Sequence, residues 1–337
     1  MNSEVANVIT KTISNHDEEL RSLSLKIHNN PELGYEEYKA SALLADYLED
    51  KGFAVTRGAA GMPTSFIAEF TNGKPGRRVA FCSEYDALPG VGHACGHNII
   101  AISGVACAIA IKALLEQNLL GGSVSLFGTP AEEGGNGKGR FLQNNDFQKR
   151  ADVALMIHPA PVDSIVGPAL AIDSAEIEFF GRSSHAAHFL ARAVTRTQLV
   201  ELKSKLEKCF EAAAVATGCQ VKISWLPQGP TEGLCYKQYM EEEGVMFPSP
   251  EKASEITSSS SDFGKVSYAL PSIQPAYKIQ TEGPNHTISF EQAARTKNAH
   301  VATLRAARSL AKTAATVLLD SNVYKEALEE FKRGKSQ

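Results

Sequence analysis

Five side chains able to bind a metal or carry a proton lie within fourteen residues of one another: Glu84, Asp86, His93, Cys95 and His97. Such crowding is rarely a packing device, because ionised and polar side chains are costly to bury without partners. Cys95 and His97 are two residues apart in a glycine-rich turn, so both can face one ion. A thiolate sulfur and an imidazole nitrogen are donors that zinc accepts. Taken alone, a Cys-x-His pair with no further ligand is more often a structural accident than a metal site.

A second cluster strengthens the chemical reading. Gly128-Thr-Pro-Ala-Glu132-Glu133-Gly-Gly ends an apolar run with two adjacent acids. In extended chain, neighbouring side chains point opposite ways, so one Glu can ligate a metal while the other faces substrate as a general base. A solvated acidic loop is the plainer alternative. His158 closes the apolar run Val153 to Ile157 and precedes Pro159, where a histidine is either a ligand or a hydrogen-bonded core residue. His286, in Gly283-Pro-Asn-His-Thr287, is distant in sequence but sits in a loop that can fold back over the others.

The elements that must position these groups follow from periodicity. Asp17 to Asn29, Glu36 to Lys51, Asn98 to Gln117, Thr195 to Thr217, Tyr236 to Glu243 and Asn298 to Leu318 have helical spacing. Phe53 to Thr56, Thr64 to Phe70, Arg78 to Ser83, Gly122 to Gly128, Ala151 to Ile157, Ala171 to Gly181 and Ser272 to Ile279 read as strands between turns. Asn98 to Gln117 is apolar nearly all round, which marks a helix buried on more than one face. Ile99 to Leu115 falls short of the ~20 residues a membrane span requires. Strands alternating with helices, two of them ending on candidate ligands, predict an α/β sheet with its site at the strands' carboxyl edge. The polar run Ser258 to Asp262 is too short to be a disordered linker.

With 337 residues the chain exceeds one typical core, so a large domain with a smaller one is expected. A net charge of −4 gives no reason to expect nucleic acid or an anionic membrane surface as partner. The first residues lack the basic and apolar regions of a secretory signal, and the six cysteines form no disulfide framework. Both features predict a cytoplasmic protein.

Together, Gly92-His-Ala-Cys-Gly-His-Asn98, Thr129-Pro-Ala-Glu-Glu133-Gly-Gly, Met156-Ile-His158-Pro, Gly181-Arg-Ser-Ser-His185-Ala-Ala and His286-Thr resemble metallopeptidase family 20, of the aminoacylase-1 and carboxypeptidase type. Asn98 favours the amidohydrolase subgroup containing aminobenzoyl-glutamate hydrolase and the β-alanyl-dipeptide hydrolases. The resemblance runs from about Leu20 to Leu318. It implies a catalytic domain with a central mixed, mostly parallel sheet flanked by helices (residues 1–163 and 226–337) and an inserted α+β lid and dimerisation domain (residues 164–225).

It further implies one or two divalent ions, zinc first and manganese or cobalt after it, held by Cys95, His97, Glu133, His158 and His286. Glu132 is then the general base for a water activated by the metal, Asp86 orients a ligand imidazole, and His185 is a lid histidine at the oxyanion. Glu84 and His93 are left without an assigned part. The substrate class is an N-acyl amino acid or unusual dipeptide.

One departure stands out. Where relatives continue after His185-Ala-Ala with a turn, a helix, a strand and a loop, His188-Phe-Leu-Ala-Arg192 joins the ends directly. The remaining insertion has room for one strand, one long helix and a strand. The missing piece carries the family's dimer edge and carboxylate-binding groups, which counts against the family's homodimer. It also raises a second expectation, a chain that binds metal or a small carboxylate without turnover.

Overall fold

Alternation along each strand decides which helices it meets. The computed structural model describes residues 1–165, 171–180, 185–193, 196–225, 234–248 and 261–335. The N-terminal half contains helices α1 (Ser3–Asn15), α2 (Asp17–His28), α3 (Tyr38–Asp50), α4 (His97–Glu116), α5 (Gly137–Gln143) and α6 (Asp146–Arg150). Its strands are β1 (Ala54–Arg57), β2 (Phe66–Thr71), β3 (Arg78–Glu84), β4 (Ser123–Thr129), β5 (Val153–Leu155) and β6 (His158–Ala160). There follow β7 (Ala171–Phe180), β8 (His185–Ala193), α7 (Arg196–Thr217), β9 (Gln220–Trp225), α8 (Leu234–Glu242) and α9 (Phe263–Ala269). The chain continues through β10 (Ser272–Ile273), β11 (Ala276–Lys278), α10 (Ile288–Ala294), α11 (Lys297–Leu319) and α12 (Ser321–Lys335).

The main sheet has the order β1-β2-β4-β3-β5-β10. Its β4, β3, β5 and β10 run parallel, while β1 and β2 pair antiparallel at one side. Val79 and Phe81 of β3, Val124 and Leu126 of β4, and Val153 and Leu155 of β5 face a core shared with α1 to α4, α8 and α11. The intervening Ala80, Cys82, Phe127, Ala154 and Met156 face Phe141, Phe147, Phe263 and Val266 of α5, α6 and α9. Two covered faces explain why the strands read as continuous apolar runs. This is the α/β architecture with a mixed, mostly parallel sheet that the sequence implies.

Helix α4 lies at backbone distance from β3. A Cβ at Gly104 would come 2.4 Å from Ser83 Oγ and 2.8 Å from the Cys82 carbonyl oxygen. The helix is 20 residues long and apolar enough to cross a membrane by composition, yet 89% of its most apolar stretch is buried inside the protein.

Several elements differ from the sequence reading. Helix α1 was not expected, although Val5, Ile9 and Ile13 recur every fourth residue and all three are buried; Asn2 caps it by accepting from the Glu4 N–H at 3.0 Å. The expected strand 151–157 narrows to β5, with β6 following from His158, and the expected strand 272–279 is broken in two. Pro159, Pro271 and Pro275 supply no N–H there, so the parallel track divides into the β5–β10 and β6–β11 pairs. Residues 185–193 form a full strand rather than a bare junction, so the insertion holds a three-stranded antiparallel sheet, β8-β7-β9, with α7 packed on it. Along α7, Leu202, Leu206 and Phe210 are only half-buried. Of the polar run, Ser258 to Ser260 lie outside the described residues, as do 166–170 within the insertion and 226–233 just after it.

Two outcomes test this packing. Ile9→Ala should lower the unfolding free energy by about 2–5 kcal/mol in urea denaturation, and an unchanged value would remove α1 from the core. Arg308 donates to both carboxylate oxygens of Glu243, at 3.1 and 2.8 Å. Burial tends to raise the Glu243 pKa, but Arg308 holds it below the usual range. A depressed carboxyl contributes stability above its unfolded pKa of about 4.3 and loses it as pH falls through the folded value. The stability gap between wild type and Glu243→Gln should therefore narrow from about pH 6 to about pH 3; a gap constant with pH would contradict this ion pair.

Candidate metal centre

The carboxyl ends of the parallel strands β3, β4 and β5 lie side by side at one edge of the sheet. Glu84 is the last residue of β3, and Asp86 follows two residues later. The chain then turns through Gly96 into α4, whose first residue is His97. Gly96 has φ +83°, and a Cβ there would come 2.7 Å from Pro159 Cγ, so a side chain would push α4 away from the His158 segment.

His97 Nδ1 lies 2.8 Å from the Asp86 carbonyl oxygen and 3.0 Å from Asp86 Oδ1. Both partners are acceptors, so Nδ1 carries the proton and Nε2 presents its lone pair in the neutral ring. Asp86 Oδ2 accepts from the Glu133 backbone N–H at 3.0 Å, so one carboxylate fixes both an imidazole and the acidic turn.

Around His97 Nε2 stand Glu84 Oε2 at 3.5 Å, Glu132 Oε2 at 3.8 Å and Glu133 Oε1 at 3.9 Å. Cys95 Sγ is 3.4 Å from His158 Nε2, and His158 Nδ1 donates to the Pro159 carbonyl at 2.8 Å, which leaves Nε2 as a second free lone pair. His286 Nε2 sits 3.2 Å from Glu133 Oε1. Cys95, His97, Glu133, His158 and His286 are thus brought together, with Glu132 and Asp86 among them. Three sets among the described residues have all their donor atoms within 4.8 Å of one another: Cys95 with His97 and His158, Cys95 with Glu133 and His286, and Glu84 with His97 and Glu132.

Glu132 and Glu133 do not diverge as extended chain. They lie in a turn that begins at Ala131, with φ +55°, and both carboxylates reach towards His97. The turn is pinned from behind by Glu37, which is fully buried. Its Oε1 accepts from the Ala131 N–H at 2.8 Å and its Oε2 from Thr64 Oγ1 at 2.7 Å. His93 is buried, with the His28 ring 6.1 Å off, and belongs to none of these three sets. His185 is the first residue of β8, opposite Phe179 in register; its side chain lies outside the described residues.

The pocket is short of positive charge. Burial favours a neutral His97, yet Asp86 and Cys95 pull its pKa well above the ordinary histidine range. Burial together with Glu84 and Asp262 pushes Glu132 well above the carboxylate range. Burial also lowers the His158 pKa. His97 Nε2 and Glu84 Oε2 are buried with no hydrogen-bond partner among the described residues. Thiol, imidazole and carboxylate donors converging on unpartnered lone pairs fit a divalent ion such as zinc.

Three residues that the sequence reading did not assign to the site also shape it. Glu37 looks like an ordinary acid ahead of a helix, and nothing local signals its distant partners. Lys138 is fully buried and pairs with both Glu84 and Asp262. A charged residue embedded in Gly134 to Gly139, where backbones approach closely, was its only sequence signal.

Residues 77–327 match peptidase family M20/M25/M40. The Xaa-Arg dipeptidase of Mus musculus is 33% identical over 385 aligned positions, spanning 94% of this chain and 89% of its own length. A p-aminobenzoyl-glutamate hydrolase polypeptide of Escherichia coli K12 is 26% identical across 98% of this chain and 95% of its own. Among solved structures, the YXEP protein of Bacillus subtilis, a dinuclear metal binding peptidase from the M20 family, superposes with a TM-score of 0.69. The match covers 90% of this chain and 99% of that one at 18% identity, which shows a common fold. The 385 positions aligned with the mouse protein exceed the 337 residues here, so that relative holds internal residues this chain lacks.

The Asp86–His97 pair yields a direct test. Partners that fix a ligand imidazole are worth about 10–100-fold in metal affinity. Asp86→Asn should therefore weaken zinc binding by about that factor in a chelator competition, and an unchanged affinity would show that Asp86 does not orient His97.

Proposed function

The chain belongs to peptidase family M20/M25/M40 and is a hydrolytic enzyme acting on amide bonds, and from that premise we propose a metal-dependent hydrolase of dipeptides or N-acyl amino acids. The observation that carries this reading is the convergence of Glu132 and Glu133 on the unpartnered Nε2 of His97. Cys95, His97, Glu133, His158 and His286 are the residues that would hold one or two divalent ions, zinc first. When bound, such an ion supplies Lewis acidity, polarising the scissile carbonyl and bringing the pKa of water down to about 7.

The chain's own residues do the rest. Asp86 keeps the His97 proton on Nδ1, so Nε2 stays available as a donor of electrons. Glu132 is nearly buried, and its raised pKa suits a group that must take a proton and give it back. It accepts a proton from the attacking water and returns it to the amine nitrogen as the C–N bond breaks. Asp86, in turn, holds the Glu133 backbone, which fixes the direction in which the neighbouring Glu132 carboxylate points.

The substrate reading leans on the relatives. One is named for Xaa-Arg dipeptides and another for p-aminobenzoyl-glutamate, both amides of an amino acid. We assign residues 1–163 and 226–337 to catalysis and 164–225 to a lid over the substrate, with His185 at the oxyanion. Six free cysteines, including three buried ones, support a reducing compartment such as the cytosol.

A second reading has its own support. The mouse relative holds internal residues that this chain lacks, which we place in the insertion, and Leu202, Leu206 and Phe210 of α7 are only half-buried. A lid so reduced favours metal binding with impaired turnover and weakens the case for a homodimer of the family's type.

Xaa-Arg and Xaa-Lys dipeptides and aminobenzoyl-glutamate, assayed with zinc, manganese and cobalt, separate the two readings. Turnover of any of them that falls by about 10²–10⁴ in Glu132→Gln, with metal content retained, is the expected result. Protein that binds metal yet hydrolyses none of the panel would support the impaired reading, and full activity in Glu132→Gln would remove the general base.

A further inference from the structure

Glu84 ends β3 fully buried, and its two oxygens face different partners. Following Ala80 and Cys82, it lies on the side of the sheet covered by α5 and α9. There Oε1 accepts from Lys138 Nζ, while Oε2 has no hydrogen-bond partner among the described residues and stands 3.5 Å from the equally unpartnered Nε2 of His97. Lys138 is itself fully buried; its ammonium also pairs with Asp262 Oδ1, and its backbone N–H donates to Asp262 Oδ2 at 3.0 Å.

A buried ammonium between two carboxylates is weak evidence of stabilisation, since desolvation offsets most of the attraction. The arrangement has a directional consequence instead. Lys138 occupies one oxygen of Glu84 and so fixes the rotation of its carboxylate, leaving the other oxygen aimed at His97. One ammonium serves Glu84 and Asp262, and Glu132 Oε2 completes a set with Glu84 and His97 in which the donor atoms lie within 4.8 Å of one another. Buried acceptors that face a lone pair are satisfied by a cation between them.

We propose that Glu84 is a further metal-facing carboxylate, outside the five-residue set, and that Lys138 is the positioning residue that turns its free oxygen towards the ion at His97. The inference rests on the metal-dependent reading above. It assigns the Lys138–Asp262 pair to orienting a ligand rather than to holding the fold.

Zinc affinity of the full chain, measured by competition with a chromophoric chelator, tests it alongside urea unfolding of the metal-free protein. Glu84→Gln keeps an oxygen for Lys138 and turns an amide N–H towards His97 Nε2. It should bind zinc about 10–100-fold more weakly while the metal-free unfolding midpoint holds or rises. A purely structural role predicts the reverse, a lower midpoint with affinity within about twofold of wild type, and that result would overturn the proposal. Asp262→Asn loosens Lys138 but leaves Glu84 charged, so it should weaken zinc binding by a smaller factor than Glu84→Gln does; affinity unchanged in Asp262→Asn would overturn the positioning role of the Lys138–Asp262 pair.

Should Glu84→Gln fail to fold, Glu84→Asp keeps the charge but withdraws the free oxygen. Weakened zinc binding in that variant supports the assignment, and wild-type affinity contradicts it. Wild-type protein that takes up no zinc would sink the metal-dependent reading as well. Zinc binding lost in His97→Ala but intact in Glu84→Gln would sink this inference alone.

Discussion

A histidine that has committed one ring proton to a carboxylate offers only a lone pair from its other nitrogen, and the centre of this protein is built around that fact. Asp86 accepts a hydrogen bond from the Nδ1–H of His97, and the opposite nitrogen then looks out on Glu84, Glu132 and Glu133, which are acceptors too. Leaving a buried polar atom unpaired costs about 1–3 kcal/mol, and more for a charged one. A divalent cation satisfies the nitrogen and the carboxylates at once; extra protons on His97 and Glu132 are the alternative towards which their raised pKa values point.

The fold supplies the geometry by ending its strands in one place. The parallel strands β3, β4 and β5 deliver Glu84 and Asp86, the Glu132–Glu133 turn and His158 at their carboxyl edge, the usual position for a site in an open α/β sheet. The later loop returns His286 to the same edge, tied by its backbone N–H to the Ala94 carbonyl at 2.8 Å. Behind these groups stand acids that do not face the convergence themselves. Glu37 holds the acidic turn and Asp262 shares Lys138 with Glu84, so buried charge on the far side of each turn fixes the near side.

Much of this was legible in the chain. Continuous apolar runs marked strands covered on both faces; Glu132, Glu133 and His158 stood out at the ends of such runs, and Cys95 and His97 by their spacing in a glycine-rich turn. Helix α1 escaped although its buried positions, Val5, Ile9 and Ile13, recur every fourth residue. Glu37, Lys138 and Asp262 could not be found by spacing, since each acts through a partner 27 to 124 residues away. The Glu132–Glu133 pair was placed correctly but for a different backbone reason; a positive φ at Ala131, not strand alternation, directs the two carboxylates. The broken strands at 153–160 and 272–278 were a matter of counting prolines.

The donors that converge on His97 all come from the main sheet and its loops. The question prior to any substrate is therefore whether these donors hold an ion together. Zinc K-edge X-ray absorption on the zinc-loaded full chain answers it, because among the described residues only Cys95 offers sulfur within the convergence. The structure predicts a sulfur scatterer at about 2.3 Å beside nitrogen and oxygen at about 2.0–2.2 Å, with the sulfur signal lost in Cys95→Ser. Coordination by nitrogen and oxygen alone in the wild type, or sulfur that persists in Cys95→Ser, would contradict it.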